Sequence, residues 1–278
     1  MLLECAPLFD NLPEGKQDRE IRTMEEYDQG FGSILYRTAL PELKAGSVLT
    51  VNDPHDYAQV FVEGKFIGAL DRRNGDKQLV LPECRKDAQL DILVEAMGRI
   101  NFGRAIKDFK GITDNVTVTE ARGGHEFVCD LKDWTVFNLE DTQDFYNAAD
   151  FKPVSTFAKD ESGRLPRGIY RGKFKVNKTD DTFLNLESWG KGLVYVNGHP
   201  LGRIWEIGPQ QTLYMPGCWL RKGENDIVVF DILGPKEVKS EGLKTPVLDK
   251  LLNEKRLVHR NEGEKLNLSG ETPVIRII

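Results

Sequence analysis

Carboxylates are plentiful in this chain of 278 residues, but histidine and cysteine, the usual partners in acid–base, nucleophilic or metal chemistry, number four each. His55, His125, His199 and His259 each stand without a second histidine or cysteine at metal-ligand spacing, so all four read as turn or surface residues. Paired carboxylates can break a glycosidic bond when about 5 to 9.5 Å apart. The adjacent pairs Glu140-Asp141, Asp160-Glu161 and Asp180-Asp181 lie in polar stretches that read as solvated loops. No GxSxG elbow, GxxxxGK[ST] loop, HExxH helix or EF-hand series occurs. The residues therefore nominate no catalytic group, no metal site and no cofactor.

What remains is the chemistry of recognition. An aromatic face stacks on the apolar side of a sugar ring as it does on bases or cations. Trp189 and Trp205 flank glycine-rich turns and are the candidates for carbohydrate stacking, weighed against core packing; Trp134 and Trp219 begin strands and read as core plugs. The second candidate is the run Met97-Gly98-Arg99-Ile100-Asn101-Phe102-Gly103-Arg104, where two glycines bracket an aromatic, an amide and two guanidinium groups. Loops of that make-up carry function more often than the strands that hold them. Its plain reading is that the glycines turn the chain, Phe102 plugs the end of a sandwich and the arginines are solvated.

The elements that must position these residues are strands. From Glu187 to Gly234 three apolar runs, Leu193–Val196, Thr212–Met215 and Asp226–Ile232, are each closed by Gly, Pro or Asn, with Asn197-Gly198 as the hairpin signal. The pattern occurs twice. Tyr36-Arg37 returns as Tyr170-Arg171, Val60 to Gly64 with Gly68 as Val194 to Gly198 with Gly202, and Leu79 and Pro82 as Leu213 and Pro216, all offset by 134 positions. Asp91-Ile92 and Val94 return as Asp226-Ile227 and Val229, offset by 135, which a single inserted residue explains. A period this long is a duplicated domain, since solenoid units run to about 50 residues.

Strands are expected within 30–39, 48–51, 57–62, 65–70, 79–81, 90–96, 115–120, 126–131, 134–139, 169–176 and 182–186. Leu248 to Leu257 is a marginal helix and Pro273 to Ile278 a strand-like end. The fold class is all-β: two tandem jelly-roll β-sandwiches, with no alternating βα pattern. Residues 1–29 are expected to be a connector from an upstream domain, 30–140 the first sandwich, 141–162 a linker, 163–235 the second sandwich, and 236–278 a tail that can add an edge strand.

A net charge of −6 argues against non-specific nucleic-acid binding. Cys5, Cys84, Cys129 and Cys218 have no CxxC spacing and read as buried free thiols. No apolar run reaches the roughly 20 residues of a membrane span, and Met1-Leu2-Leu3-Glu4 lacks the basic n-region of a signal peptide.

The segments Leu93 to Ile112 (LVEAMGRINFGRAIKDFKGI) and Trp134 to Leu139 (WTVFNL), with Trp189 to Gly217 and Lys222 to Asp231, resemble the two C-terminal β-domains of glycoside hydrolase family 35 β-galactosidases. The likeness covers roughly residues 27 to 235 in order. It implies galactose-binding-like jelly rolls. It also implies an upstream TIM barrel, whose two glutamates hydrolyse terminal β-galactosides with retention, and galactose-containing glycans as partners. Such a barrel needs about 250 residues, so no catalytic residue carries over and the chain alone is expected to be inactive. The polar and aromatic make-up of the loop Arg99 to Arg104 adds the expectation that the first sandwich packs beside the barrel, with Arg99, Asn101, Phe102 and Arg104 at the rim of the sugar site and Phe102 or Asn101 lent to it. The alternatives are a freestanding, lectin-like carbohydrate-binding module and a purely structural pair that braces the barrel or builds an oligomer. An extracytoplasmic parent protein is favoured; compartment and oligomeric state are left open.

Overall fold

The computed structural model describes residues 2–104 and 106–252. The chain is all-β, as the patterning implies, and its strands assemble into four stacked layers. An outer four-stranded sheet runs His125–Asp130, Val116–Arg122, Val48–Val51, Gln78–Val80 in spatial order. It covers a six-stranded sheet ordered Lys16–Asp18, Trp134–Leu139, Ser33–Leu40, Ala88–Glu95, Tyr57–Val62, Lys65–Asp71. A second six-stranded sheet follows, ordered Lys152–Pro153, Leu2–Pro7, Gly168–Val176, Gly223–Asp231, Lys191–Val196, His199–Trp205. The last layer is the three-stranded sheet Thr212–Met215, Thr182–Asn185, Glu241–Leu243.

Three apolar cores separate the layers. Ile34, Tyr36, Val60, Ile92, Leu49 and Val118 fill the first sandwich, and Tyr170, Val194, Val229, Leu184 and Leu213 fill the second. The third core lies between the two six-stranded sheets and includes Leu35, Phe61, Leu93, Phe137, Ile169 and Phe230. Because side chains alternate across a strand, Ile92 and Val94 serve one core while Leu93 serves another. Burial on both faces is why Leu90 to Val94 reads as a nearly continuous apolar run rather than an alternating one. The two copies are therefore packed back to back, not strung on a linker.

Residues 2–29, expected as part of a connector over 1–29, contribute strands instead. Leu2–Pro7 is a strand of the second sandwich, antiparallel to Gly168–Val176 with Cys5 opposite Tyr170 and Ala6 opposite Ile169. It occupies the place that Trp134–Leu139 holds beside Ser33–Leu40 in the first. The second sandwich thus begins before 163 and draws one strand from the opposite end of the chain. Lys16–Asp18 pairs with Trp134–Val136, and the 3-10 turn Met24–Tyr27 buries Met24 and Tyr27 in the first core. That turn starts at a reciprocal cap, in which the Thr23 amide donates to the Glu26 carboxylate at 3.1 Å.

The stretch 141–162 also departs from a bare linker. The helix Gln143–Ala148 is capped by Thr142, whose hydroxyl accepts from the Phe145 amide at 3.3 Å, and it drives Tyr146 to 1 % exposure in the seam. Six residues are too few to show helical periodicity. Past residue 235, Glu241–Leu243 adds an edge strand beside Thr182–Asn185. Residues 248–252 are not helical; the rest of the expected helix, and Pro273 to Ile278, lie outside the described residues.

The duplication is real, but its last segment is offset differently. Ile92 lies opposite Tyr36 and Val60; Val229 lies opposite Tyr170 and Val194. Ile92 therefore corresponds to Val229 rather than Ile227, an offset of 137. The extra residues fall after Pro216, where the second copy makes the 3-10 turn Gly217–Trp219. A slip of two residues keeps every side chain on its face, so sequence pattern cannot detect it.

Candidate functional site

The run that held the rim candidates leaves the end of the Ala88–Glu95 strand and returns at Gly111–Ile112, which pairs with Pro54–His55. Gly103 at φ +114° supplies one bend. At its crown the apolar side chains face solvent: Phe102 is 91 % exposed, Ile106 62 % and Ile100 43 %. Asn101 and Arg104 are exposed beside them. Phe102 does not plug the sandwich.

Arg99 anchors the loop. Its guanidinium donates to the carbonyls of Gly30 at 2.6 Å and Asp108 at 2.8 Å and pairs with Glu25 at 2.5 Å. Beneath it lies a cluster that sequence reading missed altogether. Lys110, fully buried, places its ammonium 2.7 Å from Asp56 and 2.9 Å from Asp108 and donates to the Gly98 carbonyl at 3.1 Å. Arg72 bonds the other oxygens of the same two carboxylates at 2.7 and 2.8 Å. The loop backbone is tied into the cluster, since the Met97 amide donates to Asp56 at 2.7 Å and the Ile100 amide to Asp108 at 3.2 Å.

Two cations against two carboxylates give a neutral set. Burial alone would raise the Asp108 carboxyl, but the hydrogen bonds from Lys110 and Arg72 outweigh it and hold the group down at about 2. A buried ion set satisfied in this way fixes geometry more than it adds stability. No sequence signal marks it, because Asp56, Arg72, Asp108 and Lys110 come from three separate stretches with ordinary neighbours. His55 supports its edge, bonding the Phe109 carbonyl through Nδ1 at 2.5 Å and facing Asp53 through Nε2 at 3.2 Å. It is a buried structural histidine rather than a surface one.

The stacking candidates do not join this site. Trp189 is 1 % exposed, packed edge-on against Tyr170, and donates from Nε1 to the Lys239 carbonyl at 3.0 Å, so its face is closed to a sugar. Trp205 lies in the seam between the sandwiches, edge-on to Tyr57, with the Arg73 guanidinium 4.1 Å and the Lys191 ammonium 4.0 Å from its ring centroid. Its partners are cations of this chain. Trp134 is a core plug, fully buried, whereas Trp219 is half-buried and stacks on His199 at 4.8 Å.

Two corrections concern other groups. Asp141 is no solvated loop carboxylate: it sits in the seam with the Tyr146 hydroxyl 3.4 Å away. Burial, aided by Glu95 and opposed by Arg203, pushes its carboxyl up to about 7. Cys5 and Cys84 are buried thiols as expected, but Cys129 and Cys218 are exposed; all four are free. Among the described residues no cluster of His, Cys, Asp or Glu could hold a metal ion, and no helix is long and apolar enough to cross a membrane.

Comparison with known proteins bears on the same two modules. The family described as β-galactosidase, first all-beta domain, matches residues 22–140, and the β-galactosidase galactose-binding domain matches residues 168–225. Human β-galactosidase-1-like protein 3 is 36 % identical over 218 residues, 76 % of this chain and 30 % of that protein. β-Galactosidase 17 of Arabidopsis thaliana is 33 % identical over 242 residues, 77 % of this chain and 33 % of the relative. The β-galactosidase of Xanthomonas manihotis is 33 % identical over 219 residues, with the same two shares. Among solved structures, a Pleurotus ostreatus lectin in complex with GalNAc aligns over 84 % of this chain and 75 % of its own at 12 % identity and a TM-score of 0.29, too low to carry an argument. The chain spans about a third of the length of the curated relatives it matches. It belongs to the β-galactosidase family, of which it holds the first all-β domain and the galactose-binding domain.

Proposed function

We propose that this chain is the non-catalytic C-terminal region of a glycoside hydrolase family 35 β-galactosidase. In this reading it braces an upstream TIM barrel that hydrolyses terminal β-galactosides, and Arg99, Asn101, Phe102 and Arg104 form part of the rim of the sugar site. The observation that carries the reading is Phe102, 91 % exposed on a loop whose base is clamped by a buried ion cluster. A phenyl ring left in water on a loop anchored at its base exposes apolar surface that burial would otherwise make favourable. That arrangement fits a residue that is covered by another domain or by a ligand.

The test is Phe102→Ala in the β-galactosidase polypeptide that carries this chain. Expected is a change in kcat/KM that depends on the group linked to galactose, while hydrolysis itself persists. Equal kinetics on a panel of linkages retires the rim role. The residues 1–278 alone are expected to be inert toward a nitrophenyl galactoside and silent in a calorimetric titration with galactose. Saturable binding would instead favour the freestanding carbohydrate-binding module, whose two stacking tryptophans are taken up by the core and the seam.

A further inference from the structure

Most sheet edges in this protein carry a device against pairing with another chain. Gln78–Val80, Lys16–Asp18 and Glu241–Leu243 are three residues long, and Lys152–Pro153 is two with a proline. His199–Trp205 contains Pro200 and a register shift, and Lys65–Asp71 begins on a lysine and pairs across a second shift. The flank of Thr212–Met215 is occupied, since the Thr212 hydroxyl accepts from the Val247 amide at 3.0 Å.

His125–Asp130 has none of these. It holds six residues in unbroken register with the strand before it, without lysine or proline, and every one is exposed, Phe127 at 53 % and Val128 at 63 %. Its backbone parity is set. The hairpin closes on Arg122 and His125 around Gly123-Gly124, both at positive φ, and the Leu131 amide donates inward to the Val116 carbonyl at 2.8 Å. Odd-numbered residues thus bond the neighbouring strand, and Glu126, Val128 and Asp130 present their N–H and C=O groups to the open side.

We propose that this edge pairs antiparallel with the same strand of a second copy of the chain, about a twofold axis at Phe127. The parity admits axes only at a residue, not between two. An axis at Val128 would set Glu126 against Asp130 of the other copy, twice. An axis at Phe127 sets Phe127 against Phe127, Glu126 against Val128 and His125 against Cys129, so no like charges meet. The two phenyl rings then cover the groove that Phe127 lines with Pro41, Leu43 and Val118, whose charged rim is Glu42, Glu120 and Arg122. The two outer sheets become one of eight strands, closing an edge that is otherwise a template for aggregation.

Light scattering on the 278-residue chain should show a mass that rises with concentration toward twice that of one chain. Val128→Pro deletes an N–H that points only to the open side. It should return the monomer with an unchanged melting temperature. In a Cys129→Ser background, Phe127→Cys should oxidise to a covalent dimer, because close pairs of antiparallel strands suit the disulfide Cα separation. A chain that stays monomeric at every concentration overturns the proposal. So does a dimer that survives Val128→Pro, or one that crosslinks through native Cys129 and so reports a twofold axis two residues along and a register shifted by four.

Discussion

Glu95 and Lys191, 5 % and 4 % exposed, form an ion pair across the seam between the two sandwiches. Glu95 ends a strand of the first and Lys191 begins a strand of the second. Arg203 flanks the pair and donates to the Ala96 carbonyl at 2.7 Å, while Trp205 and Tyr57 close it from water. Burial lowers the Lys191 ammonium despite the carboxylate beside it. Together with the apolar core between the sheets, the pair links the two modules across the seam.

Lys191→Met leaves Glu95 buried without its partner and should cost about 3–5 kcal/mol in chemical denaturation. Adding Glu95→Leu should recover most of that loss, because a matched apolar pair replaces the two charges without stranding either. A double variant as unstable as the single one removes the pair from its role at the seam.

Asp141 makes the protein less stable as the solution becomes more alkaline. Its folded carboxyl titrates near 7 against an ordinary value of 3.8. The native state therefore holds the proton more tightly than the unfolded chain. The resulting stability is fully present below about 4 and is lost as pH rises through 7. Melting curves of Asp141→Asn and wild type should agree at the acid end of that window, with the variant melting several degrees higher at pH 8. A constant difference across the window would exclude the titration.

Asp108 works in the opposite direction. Held at about 2 by Lys110 and Arg72, its carboxylate contributes stability that is present above about 4 and disappears as pH falls toward 2. Asp108→Asn should flatten this acid limb. Lys110→Met, which strands two carboxylates on Arg72 alone, should speed tryptic cleavage at Arg99 or Arg104 well before global unfolding. Equal cleavage rates would mean the cluster does not hold the loop.

The strand Leu2–Pro7 fills the gap beside Gly168–Val176, burying Cys5 and Ala6 completely. Residues 152–252 expressed alone should lack a cooperative melt. The same fragment with residues 2–7 joined behind Leu252 through a flexible linker should regain one. Cooperative unfolding of the unmodified fragment would show that the strand is dispensable.

Much of the fold is legible in the sequence. The hairpins at Glu63-Gly64 and Asn197-Gly198 announce themselves because Glu63 and Asn197 each take a positive φ followed by glycine, and strands such as Trp134–Leu139 carry their own period. The duplication followed from spacing alone. The loop with Phe102 was marked by composition, since glycines and an aromatic between strands have few structural reasons to occur together.

The sequence by itself determined what is local: the all-β class, the turns, the two copies and the family to which they belong. Turn chemistry and alternation act over a few residues and survive being read one at a time. Tertiary structure alone decided what depends on distant partners. It sent residues 2–7 into the far sandwich, gathered Asp56, Arg72, Asp108 and Lys110 from separate stretches, and turned Trp189 inward. An ion cluster or a strand partner is chosen by which surfaces meet when water is expelled, and that choice leaves no mark on a residue's immediate neighbours.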